Sequence, residues 1–86
     1  MAASPMPVLP LPPDKWNRIA ESLKLSPRQK RIAELILRNQ CDKQIVSALG
    51  GKLPTLRTQL KRIFHRTGVA DRKELVLLIC RMSHAE

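Results

Sequence analysis

A chain of 86 residues bounds the molecule to one small domain, whose core can cover only part of its surface. Its 16 Lys and Arg against 7 Asp and Glu leave a formal net charge of +9, which points to a polyanionic partner. Two cysteines without a CxxC spacing exclude a disulfide framework and fit a reduced compartment, the shortage of aromatic residues (Trp16 and Phe64) argues against base-stacking modules, and no run reaches the length of a membrane span.

Residues 1–13 carry Pro5, Pro7, Pro10, Pro12 and Pro13, a composition that predicts a flexible, extended arm. The same prolines, with no basic start, exclude a secretory signal. An N-terminal helix is predicted over 14–24, with Asp14 as its N-cap and Trp16, Ile19, Ala20 and Leu23 on one face at helical spacing. Ser26, Pro27 and Gln29 read as a capping box with proline at the first helical position, opening a second helix. Ile32, Ala33, Leu35 and Ile36 form its apolar face, Asn39 takes the left-handed position that ends it, and Arg28, Lys30, Arg31, Glu34 and Arg38 are expected in water.

Cys41 or Asp42 caps a short helix ending at Leu49, burying Ile45, Leu49 and either Val46 or Ala48. Gly50-Gly51 supplies positive φ for a sharp turn, and Pro54 sits in the first turn of the next helix, where its missing N–H costs little. Leu56, Leu60, Ile63 and Phe64 form that helix's inner stripe, and Gly68 ends it. From Gly50 to Arg66 there are five bases and no acid. Two helices about a glycine turn, the second cationic, over about 42–67, are the layout of a helix-turn-helix. Asp71 and Glu74 form a second capping box before a last helix. Leu75, Leu78, Ile79 and Met82 make one stripe of it, and Val76, Leu77 and Cys80 fall outside, so the helix is expected to be buried on two sides. Either a second subunit or the N-terminal helix can cover that second side. The predicted fold class is all-α: a short helical bundle with a helix-turn-helix.

His65 and His84 lack metal-ligand spacing with the cysteines, and no glycine-rich phosphate loop, GxSxG or paired carboxylates are present. Neither an enzyme nor a metal or cofactor site is expected.

From Leu25 to Ile79 the residues carry a family resemblance. LSPRQ at 25–29, LIL at 35–37, DKQIVSAL at 42–49, TLRTQL at 55–60 and TGVADRKELV at 67–76 resemble, in register, the LuxR-type (GerE-like) helix-turn-helix DNA-binding domain. The resemblance implies a four-helix core over 25–83 with an extra N-terminal helix. It implies a transcription regulator, cytoplasmic and associated with the bacterial nucleoid, that binds double-stranded DNA without a membrane. It also implies a homodimer through the last helix, with Val76, Leu77 and Cys80 at the contact. With about 24 residues before Leu25, a stand-alone regulator is expected, with a fragment as the alternative. The departures are Gln29 for the family's Glu, which reduces an ion pair with Arg72 to a hydrogen bond; Gly51-Lys52 for Ile-Ser; Gln59 for His; and Thr67 for Leu.

The helix at about 54–67 is expected to enter the major groove. Arg57 and Gln59 are the candidates for base contact, the backbone being the alternative for Gln59, since both side chains have the donors that base edges accept. Thr55 and Thr58 are short donors for phosphates or base edges. Lys52, Lys61, Arg62 and Lys43 are expected on phosphates, where they position the helix without reading sequence. Two alternatives stand beside sequence-specific DNA binding: a helical protein-interaction adaptor and a non-specific nucleic-acid binder.

Overall fold

The computed structural model describes residues 9–85, and among them the fold is all-α. Five helices follow one another: α1 (Pro13–Ser22), α2 (Pro27–Leu37), α3 (Asp42–Leu49), α4 (Leu53–Thr67) and α5 (Arg72–Ala85). Their starts are written locally. At α2 the Ser26 hydroxyl accepts from the Gln29 N–H (3.1 Å) while the Gln29 side chain accepts from the Ser26 N–H (3.0 Å). At α3, Cys41 is the N-cap residue and its N–H donates to Gln44 Oε1 at 2.8 Å. At α5 the Asp71 carboxylate accepts from the Glu74 N–H (2.9 Å), and Glu74 reaches back one residue further than a capping box does, to the Ala70 N–H (2.8 Å). Asp14 is not a cap: α1 starts one residue earlier, with Pro12 as N-cap, because consecutive prolines preset φ for a helical start.

Three helices end in the same way. Lys24 (φ 57°), Asn39 (φ 61°) and Gly68 (φ 77°) are left-handed, and the N–H of the following residue turns back to a carbonyl five positions earlier: Leu25 to Ala20 (3.1 Å), Gln40 to Leu35 (3.0 Å) and Val69 to Phe64 (3.0 Å). The exit from α3 differs. Gly50 has φ 80° with ψ 169°, and Gly51 follows at φ 101°, so the chain leaves α3 through a conformation open essentially to glycine alone.

The core joins all five helices. Trp16, Ile19, Ile32, Leu35, Ile45, Ile63, Leu75 and Ile79 are its largest fully buried side chains. In α3, Val46 and not Ala48 joins Ile45 and Leu49 against it. α4 packs on α2, α3 and α5, so its inner stripe of Leu56, Leu60 and Ile63 is buried and Phe64 half-buried. α1 packs along α5, and its Lys15 ammonium donates to the Ser83 carbonyl (2.9 Å), where a cation meets the carbonyl end of a helix. The N-terminal helix therefore covers one side of α5, which answers why that helix is apolar nearly all round.

Two expectations change. Leu11 is buried and Leu9 half-buried against the core, with Pro10 and Pro12 exposed between and after them, so this end of the expected arm is anchored by its leucines; residues 1–8 of the expected arm lie outside the described residues. Glu34 does not stand free in water: half-buried, it accepts from Trp16 Nε1 (3.3 Å) and pairs with Arg38 (3.7 Å), because a buried indole N–H needs an acceptor.

Candidate nucleic-acid interface

α4 stands out as a ridge, because its apolar stripe is held from three sides and the opposite arc is left to solvent. At about 3.6 residues per turn, Thr58, Lys61, Arg62 and His65 share that outer arc. All four are exposed. Arg57 lies on one flank and Arg66 on the other, both exposed. No acid occurs anywhere on α4.

The Arg57 flank faces a shallow groove shared with Lys43, Asp42, Phe64 and Arg72. Lys43 is exposed in the first turn of α3, so the groove carries a base on each wall. Arg72 is partly committed to structure: it pairs with Asp42 at 3.1 Å and donates to the Gln40 carbonyl, clamping the start of α5 onto the α2–α3 junction. The expected Gln29–Arg72 bond is absent. Gln29 spends its amide oxygen on the Ser26 cap, and Arg72 finds a carboxylate closer at hand in Asp42.

On the other side of the ridge a second groove is lined by Gln29, Thr58, Lys61, Arg62, His65 and Arg66. Arg66 is anchored there by a hydrogen bond from Nη1 to the Lys24 carbonyl (3.0 Å), which ties the end of α4 to the α1–α2 turn. At the near end of the ridge, Lys52 is the exposed N-cap of α4, and no side chain caps that helix. In the first turn Pro54 has no N–H, and no side chain accepts from the N–H groups that remain, a local preference for an anion.

Most of the expected contact residues are brought together: Lys43, Lys52, Thr55, Arg57, Lys61 and Arg62 are all exposed on or beside the ridge. Two differ. Gln59 is half-buried and directed inward: its Oε1 is sealed from solvent without a partner, in a small cavity shared with Arg28, Val46, Leu49 and Leu56 under the α3–α4 turn. The reason is position, since Gln59 directly precedes Leu60 and stands one turn from Leu56, at the edge of the buried stripe. Thr58 is exposed, but its hydroxyl donates to the Pro54 carbonyl (3.2 Å), so its proton is spent within the helix. Conversely, Arg66, one of the five bases expected between Gly50 and Arg66, and His65, expected as a surface or phosphate-side residue, are both exposed on this surface although neither is among the expected contact residues. The signal for both was available in the helical spacing, three and four residues beyond Arg62.

On α5, Leu77 is the exposed large apolar side chain, at 53% exposure, with Val76 and Cys80 half-buried. Leu77 and Val76 border a shallow groove with Ile36, Asn39, Arg72 and Lys73. Among the described residues no group of His, Cys, Asp and Glu could hold a metal ion, and no helix is long and apolar enough to cross a membrane.

Comparisons with protein-family models, with curated proteins and with solved structures found no match.

Proposed function

We propose that the chain is a sequence-specific DNA-binding transcription regulator that lays α4 in the major groove. The observation that carries the reading is the ridge itself: an outward helix with Arg57, Lys61, Arg62 and Arg66, no acid, and bases on α3 and at its own N-cap to either side. Such a helix fits the width of the major groove, and the flanking bases fall where the two phosphate backbones would run. The resemblance from Leu25 to Ile79 to the LuxR-type domain points the same way. The homodimer it implies would use Leu77, the exposed large apolar side chain of α5, with the half-buried Val76 and Cys80 beside it.

Selection of bound duplexes from a random pool, followed by binding of the winners at several salt concentrations, tests the proposal. A recovered consensus supports it, and two half-sites one helical turn apart support the homodimer as well. Uniform retention of all duplexes identifies a non-specific binder instead. No retention at low salt leaves the adaptor reading, with the basic ridge a solvated face.

A further inference from the structure

Within the DNA-binding reading, on which this inference rests, we propose that the groove between α4 and the start of α2 is a backbone-phosphate subsite, and that the charge of His65 sets its grip. Its walls supply donors from two helices. Lys61, Arg62 and His65 have no hydrogen-bond or ion-pair partner among the described residues. Arg66 is held in place through the Lys24 carbonyl, which leaves its other N–H groups to donate. Gln29 accepts from the Ser26 N–H with its oxygen, and its amino group is left as a donor. Thr58 lines the groove without an available proton. An anchored guanidinium beside free cations is a preorganised arrangement for a phosphodiester oxygen.

No carboxylate lines the groove, and among the described residues none is bonded to these donors. α4 has none, and those of the helices packed on it are engaged elsewhere: Glu34 of α2 with Trp16 and Arg38, Asp42 of α3 with Arg72, and Glu74 of α5 with the Ala70 N–H. Asp71, just before α5, holds the Glu74 N–H and borders the opposite groove. His65 therefore shares the groove with Lys61, Arg62 and Arg66, and no carboxylate is among its lining residues. A bound phosphate favours the imidazolium over the neutral ring, because both ring nitrogens then donate and the added charge meets an anion. By linkage, DNA binding takes up a proton, and affinity rises as pH falls through the range in which imidazoles titrate. One extra cation at a phosphate steepens the slope of log K against log salt by about 0.9, roughly eightfold in affinity near 0.1 M salt.

The experiment measures anisotropy of one labelled duplex with the full chain across a salt series at about pH 5.5 and about pH 8, bracketing the imidazole range. His65→Gln and His84→Gln are run in parallel, with circular dichroism to establish that each protein is folded at both values. The expected result is tighter binding and a steeper salt slope at the lower pH for the parent and for His84→Gln, with the difference gone in His65→Gln. Binding that is the same at both pH values, or a pH difference that survives His65→Gln, overturns the subsite and leaves DNA binding standing. Absence of binding to any duplex at both values overturns both.

Discussion

On the proposed DNA-binding reading, two side chains one turn apart on α4 separate reading from holding. Arg57 lies on the flank toward α3, with a guanidinium able to grip a guanine edge with two donors, whereas Lys61 offers a single charge on the outer arc. Arg57→Ala is expected to cost about 1–3 kcal/mol on the selected site and to relax sequence choice there, while Lys61→Ala weakens all duplexes alike and reduces the salt slope by about one unit. Paired titrations of specific and random duplexes check this, and parallel losses for both variants would remove Arg57 from base reading. Gln59 is the opposite case. Its sealed, unpartnered amide oxygen is a standing cost to the fold. Gln59→Leu should raise stability by about 1 kcal/mol, or roughly 4–8 °C in a domain of this size, with unchanged site preference. A thermal melt and a repeat of the site selection decide it, and an altered consensus would return Gln59 to the readers.

At the level of elements, the angle between α3 and α4 is set by two adjacent glycines. A Cβ at Gly50 would meet nothing within 4 Å, so crowding is not why glycine stands there; its φ of 80° with extended ψ is. Gly68 also has open space, but in the left-handed region, where other residues are tolerated at modest cost, as Lys24 and Asn39 demonstrate in this same chain. Gly50→Ala is therefore expected to cost more than Gly68→Ala, about 2–3 against about 1 kcal/mol, in urea denaturation. Equal losses would mean that the α3–α4 turn relaxes into another conformation.

Those elements also mark how far the sequence could be read. The Ser26 box, the Asp71 side-chain cap, the Asn39 and Gly68 terminations and the inner stripe of α4 were legible because each is a local rule, settled within five residues. Lys24 was not. Nothing in its own chemistry favours positive φ, and the return bond from Leu25 to Ala20 imposes it. Leu11 was masked by its proline neighbours, and its burial depends on a core assembled from distant helices. For the ridge, spacing gave the outer arc, whereas it was residue type and the family resemblance that made Gln59 a candidate reader. A residue at the edge of a stripe turns in or out according to what packs beside it, here Val46 and Leu49 of α3.

Across the described residues as a whole, the first and last helices are drawn together. The bond from Lys15 to Ser83 spans 68 positions, and α1 lies on α5 while α2, α3 and α4 sit between them in sequence. The fold is thus topologically a ring, and where the ring is cut is separable from what it encloses. A circular permutant that links the ends with a short flexible segment and opens between Gly50 and Gly51, both exposed, keeps every helix and every core contact. It is expected to melt cooperatively with native helix content, yet to bind the selected duplex more weakly, because the covalent turn no longer fixes α4 against α3. Undiminished affinity in that permutant would place the orientation of α4 in the packed core instead. A fall in affinity with the core intact would instead make connectivity at one dipeptide, rather than the set of contacts, the quantity that tunes recognition.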